Sequence, residues 1–190
     1  MLFLLLTDNP QSLLATIVSR CQILTLNAAP GPRSAWEEEL LEILGAVVPA
    51  AKTSPLMAAL ARAEAFARLF KRVKEAAEEE VKAAAAGEAT ELDKDTFGAR
   101  VGARYRETRT ALMRTLLLWY RDRLVLACGG APECLHFGER AATLRAQAAG
   151  VTPPEALRHV RTIEDMQDQM ERNLPDGLVL DYGLPRLGAI

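Results

Sequence analysis

The sequence predicts a mainly α protein: a helical domain of about six helices over residues 34–190, preceded by a short α/β segment over residues 1–27. Three observations carry this reading. Of 190 residues, 32 are Ala and 29 are Leu, so about a third of the chain is built from two strong helix formers. Beyond residue 33, apolar residues recur at helical spacing between cap and breaker signals. Before residue 28 they stand instead in short continuous or alternating runs, the pattern of strands.

Residues 2–6 form a continuous apolar run of strand length, closed by the turn signal Asp8-Asn9-Pro10. Asn9 can cap a helix with Pro10 at its first position and Leu13, Leu14 and Ile17 on one side. Residues 22–26 alternate and are rich in aliphatics, which predicts a second strand. Residues 28–33 are a linker, because Pro30-Gly31-Pro32 continues neither element.

Ser34, with Glu37 three residues on, opens a helix whose buried stripe is Trp36, Leu40, Ile43, Leu44 and Val47. The next spans 56–86 with Leu60, Ala63, Phe66, Ala67, Phe70 and Val73 inward, and its Ala/Glu/Lys end projects into water. A second long helix over 96–128 has a wide apolar face including Tyr105, Leu112, Leu116, Trp119 and Leu126, which marks it as central. Gly129-Gly130-Ala131-Pro132 ends it, and a helix over 139–149 follows. Pro153-Pro154 starts another, with Val160, Ile163, Met166 and Met170 on one stripe, and an apolar helix over 178–187 closes the chain.

The charge balance, 23 Lys and Arg against 25 Asp and Glu, excludes overall basicity as an attraction for nucleic acid. Between residues 98 and 125, seven arginines face only Glu107 and Asp122, and between 75 and 95 eight acids face Lys82 and Lys94. Two antiparallel helices attracting each other across a hairpin account for both runs; a phosphate-contacting stripe or a charged subunit contact are the alternatives. Three irregularly spaced cysteines give no disulfide framework and fit a reducing cytoplasm. Cys128, Cys134 and His136 match no common zinc spacing, so no metal is expected. His136 and His159 stand beside no recognisable nucleophile motif. The opening six apolar residues lack a basic lead-in and a small-residue cleavage site, and are neither a signal peptide nor a membrane span. No glycine-rich phosphate loop with its lysine occurs, so the chain alone builds no ATP site.

The order of features at the start is specific. The run 2–6 into Thr7-Asp8-Asn9-Pro10, the Leu13-Leu14-Ala15-Thr16-Ile17 helix and then Ser19-Arg20-Cys21-Gln22 resemble the AAA+ clamp-loader subunits of bacterial DNA polymerase III, of delta-prime or gamma type. At the other end, Arg172-Asn173 followed by an apolar helix ending in Leu184-Pro185-Arg186-Leu187 is similar to the closing helix of the same subunits. Gly183 and Pro185 depart from that pattern and put the regularity of the last helix in doubt. Residues 34–150 carry no family motif.

The resemblance implies that residues 1–27 are a remnant of a AAA+ domain whose nucleotide-binding core precedes residue 1, and that 34–190 are a collar-type oligomerisation domain. Thr7 then takes the sensor 1 position. Arg20, supported by Ser19 and Cys21, becomes an arginine finger acting in trans on ATP and magnesium held by a neighbouring subunit. A planar, permanently charged guanidinium suits that role, since it meets phosphate oxygens two at a time. Implied partners are the other clamp-loader subunits, the sliding clamp indirectly and primed DNA through the complex, in the cytoplasm and away from membranes. A fragment of a gamma-type ATPase and an unrelated helical adaptor remain open alternatives. Leu178, Val179, Leu180, Tyr182, Leu184 and Leu187 offer more apolar surface than one face of a bundle covers, which places a subunit interface there. An unpaired edge at 2–6 adds weak self-association of the chain.

Overall fold

A computed structural model describes residues 5, 7, 13–24, 32–46, 55–86 and 93–187. The chain divides into two compact units, Met1–Pro32 and Arg33–Ile190. In the first, the described residues form a single short helix, α1 (Ala15–Val18), which buries none of its residues. The expected strand over 22–26 is not formed where it is described. Gln22, Ile23 and Leu24 are irregular, with Ile23 and Leu24 63% and 76% exposed. A strand is held by ladder bonds to a neighbour, and among the described residues no backbone bond to another strand engages these three. Leu5 is also outside any regular element; the rest of the run 2–6, Asn9 and Pro10 lie outside the described residues.

The second unit is helical throughout. α2 (Ala35–Gly45) begins with the expected reciprocal cap: Glu37 N–H donates to Ser34 Oγ at 3.3 Å, and Ser34 N–H donates to the Glu37 carboxylate at 2.9 Å. Its Leu40, Leu41 and Leu44 are fully buried, while Trp36 and Ile43 pack at the edge of the core; Val47 lies outside the described residues. α3 (Pro55–Ala85) contributes Phe66, Leu69, Phe70, Val73 and Ala77. Leu60 is 49% exposed and Ala67 is exposed too, so the inward stripe begins one turn later than the sequence suggests and runs through Leu69 instead of Ala67. α4 (Lys94–Ala127) starts on Asp93, whose carboxylate accepts from the N–H groups of Asp95 and Thr96.

α4 is the centre, as the width of its apolar face predicts: it packs against α2, α3, α5 (Ala141–Ala148) and α6 (Pro153–Glu171). It stops at a left-handed Gly129 (φ 76°), and Gly130 N–H reaches back to the Val125 carbonyl at 2.8 Å. A Cβ on Gly130 would stand 2.5 Å from Val125 Cγ1, so glycine is required there. A 3₁₀ turn at Pro132–Cys134 and another at Gly138–Arg140 carry the chain to α5.

α6 buries Ala156, Ile163, Met166 and Met170 and ends at Asn173, whose φ of 61° and the Leu174 N–H bond to the Gln169 carbonyl make the expected stop. α7 (Asp176–Gly183) lies on α3 and α6, and its helical turn tightens into a 3₁₀ turn over Leu184–Leu187 at the Gly183 and Pro185 positions. Among the described residues no helix is long and apolar enough to cross a membrane.

Candidate functional site

The Ser19-Arg20-Cys21 segment is the exposed end of α1. Ser19 Oγ donates to the Thr16 carbonyl at 3.3 Å, and the N–H groups of Arg20 and Cys21 bond back to Ile17 and Val18. Those bonds fold the triplet into a turn with Arg20 exposed, and among the described residues no hydrogen bond or ion pair engages its guanidinium. Thr7 is also exposed.

The six residues expected at an interface divide into two groups. Val179, Leu180, Leu184 and Leu187 are 1–6% exposed and belong to the chain's own core, so an intramolecular neighbour covers them. Leu178 and Tyr182, one turn apart on the opposite face of α7, are 65% and 57% exposed, and Leu174 just before the helix is 42% exposed. Arg186 lies over the Tyr182 ring at 3.9 Å. Gly183 allows the close approach on the inner side: a Cβ there would fall 2.2 Å from Met166 Sδ.

A polar latch sets the position of α7. Asp176, at its first residue, accepts from Arg109 Nη1 at 2.8 Å and from the Tyr105 hydroxyl at 2.5 Å, while Arg109 Nη2 donates to the Met170 carbonyl at 3.3 Å. Burial and the Asp176 charge together push the Tyr105 hydroxyl pKa up, so it stays a donor.

The arginines of α4 therefore do not form one stripe. Arg104 crosses to Glu80 of α3 at 2.6 Å, the hairpin attraction expected from the charge runs. Arg109 turns to α7, and Arg121 reaches Asp122 and the Cys134 carbonyl. Arg123 is 2% exposed and lies over the Tyr120 ring at 4.8 Å. Cys128 and Cys134 are exposed, and among the described residues no group of three His, Cys, Asp or Glu side chains is placed to hold a metal ion.

Two buried polar groups escape a sequence reading. Gln147 accepts from Trp119 Nε1–H at 3.0 Å and donates to the Leu44 carbonyl at 2.7 Å, joining α2, α4 and α5. Asp122 accepts from the N–H groups of His136 and Phe137 at 3.0 and 2.8 Å. The available signal is a polar residue among the apolar positions of a helix, Asp122 on α4 and Gln147 on α5, and it does not name a partner. Compared with protein families, curated proteins and solved structures, the chain finds no match.

Proposed function

We propose that this chain is the C-terminal part of a clamp-loader subunit of delta-prime type, in which the helical unit Arg33–Ile190 holds the subunit in its ring and Arg20 is offered in trans to ATP on a neighbour. The observation that carries the reading is the order of sequence features from Thr7 to Ser19-Arg20-Cys21-Gln22, with Arg20 exposed on a turn. Support at the other end comes from the exposed Leu174, Leu178 and Tyr182, which narrow the proposed subunit contact to the outer face of α7.

A helical adaptor, in which the first unit has no catalytic role, is the second reading. It is favoured by the irregular, exposed Gln22–Leu24 segment, where the clamp-loader reading needs a strand. One experiment separates them. In an assembly reconstituted from the full-length subunit, Arg20→Ala should leave association intact and lower ATP-driven clamp loading about a hundredfold or more, since a trans-acting arginine contributes ~10³ to 10⁵ in phosphoryl transfer. Loading at the unaltered rate would leave the adaptor reading standing.

A further inference from the structure

α7 lies on α3 and α6, yet the side chains that grip its first residue come from α4. Tyr105 and Arg109, one turn apart on that helix, both donate to Asp176. A helix of eight residues does not persist without tertiary support. Its first turn has no side-chain cap, because Pro175 occupies the cap position, and the chain enters it after a left-handed Asn173. The register of α7 is fixed further on, where Gly183 lies against Met166. The latch therefore decides whether the start of the helix keeps its place.

Arg109 has a second place to go. Its side chain also lines a pit of about 40 Å³ between α4 and α6, together with Thr110, Met113, Gln167, Met170 and Glu171. Met113 and Met170 are buried, whereas Glu171 is exposed, and among the described residues no hydrogen bond or ion pair engages its carboxylate. One water needs about 10–15 Å³ of such space, so the tip of a guanidinium can turn into the pit without displacing the methionines. One cation thus stands between two carboxylates: Asp176, which it holds at 2.8 Å, and Glu171 on the wall of the pit. The bond from Arg109 Nη2 to the Met170 carbonyl, at 3.3 Å, lies where the two positions meet.

We propose that Arg109 is a two-position switch for the subunit contact: paired with Asp176 it docks α7 and presents Leu178 and Tyr182, and turned into the pit towards Glu171 it releases the first turn of α7. The inference rests on the reading of the outer face of α7 as that contact. Arg109 and Tyr105 are positioning residues in this scheme, since they act on a partner through Leu178 and Tyr182. The switch lies within the helical unit and is independent of the role proposed for Arg20.

The structure holds the docked position, and the surroundings of the two carboxylates explain why. Arg109 and Asp176 retain little exposure, 11% and 19%, so water screens their attraction less than it screens a pair with the exposed Glu171. The Tyr105 hydroxyl adds a bond to Asp176 that the docked position alone uses. A partner that binds the docked form loses affinity in proportion as that form is depopulated, and its binding in turn draws Arg109 back to Asp176.

The test neutralises the two carboxylates in turn in the whole chain and follows amide exchange in α7 against the centre of α4, which reads even a rarely open form. Exchange in α7 should quicken about tenfold or more in Asp176→Asn, as loss of a charge-assisted bond does. It should slow by up to about fivefold in Glu171→Gln, the range of a pair exposed to water. Opposite signs around one arginine are what a merely structural role does not give. The double variant should exchange more slowly than Asp176→Asn alone, because no second carboxylate then draws Arg109 away. Binding to full-length partner subunits should weaken about tenfold in Asp176→Asn, and Asp176→Glu should recover part of it. Unchanged or faster α7 exchange in Glu171→Gln overturns the switch, as does undiminished partner binding in Asp176→Asn where Leu178→Glu has lost it. If Leu178→Glu keeps partner binding, the contact reading falls by itself, and the exchange measurements still decide whether Arg109 switches α7.

Discussion

Asp122 and His159 show opposite ways for a core to hold an ionisable side chain. Asp122, with no exposed surface, is surrounded by donors: two backbone N–H groups and Arg121 satisfy it, and in return it fixes the loop between α4 and α5. His159 has no such support. Burial, and after it the positive charge of Arg123, depress its pKa below the ordinary 6.5. The unfolded chain therefore binds this proton more readily than the native one, and stability rises with pH across the interval between the two values. Above 6.5 the native state keeps the whole of this advantage, and it is lost as pH falls below 6.5 through the folded-state value. Urea unfolding of the wild type between about pH 7.5 and 5 should show that decline, and His159→Gln should flatten it. An identical slope in the variant would assign the decline to other groups.

The helices themselves were legible because each carries its own punctuation. The Ser34–Glu37 box, Pro153-Pro154 and Asn173 mark ends that the structure reproduces, and the wide stripe of α4 announced a helix with neighbours on several sides. What could not be read was the neighbour of each face. Residues 176–187 are apolar nearly all round, so Leu180 and Leu178 look alike in sequence, although one is 3% and the other 65% exposed. The same holds for the arginines: spacing places Arg104, Arg109 and Arg123 on α4, but the helix across from each decides whether it becomes a surface pair, a latch or a buried cation. Gln22–Leu24 fail for a related reason, since alternation proposes a strand and only a partner strand can hold it.

The latch gives the element scale its own test. Arg109 and Asp176 retain 11% and 19% side-chain exposure, enough burial for the pair to be screened less than one on the surface. Asp176→Asn keeps an acceptor for Tyr105 but removes the charge that Arg109 meets and that favours the start of α7. The expected cost is about 1–3 kcal/mol. Amide exchange should quicken in α7 more than at the centre of α4, because the latch is the polar tie at the start of α7. Uniform quickening along the whole unit would mean that α7 is held by its apolar contacts alone.

At the scale of the molecule, every fully buried apolar residue among those described lies in Arg33–Ile190, and α1 buries none. The core is thus built from residues of the helical unit, and removal of residues 1–32 should preserve its cooperative unfolding and most of the circular dichroism at 222 nm. Association tests a different surface. Leu178→Glu and Tyr182→Glu place charges at positions 65% and 57% exposed, where they cost the isolated fold little. Leu180→Glu, at 3% exposed, buries an unpaired carboxylate in the core and should unfold it. If the outer face of α7 is the subunit contact, the first two variants should keep wild-type Tm yet lose binding to full-length partner subunits in sedimentation velocity, whereas deletion of residues 1–32 should keep that binding and weaken self-association only. The reverse pattern, with partner binding intact in Leu178→Glu and lost in the deletion, would move the contact from α7 to the first unit. Because Leu178 and Leu180 differ by only two residues along one helix, the contrast between their variants separates loss of a partner from loss of the fold.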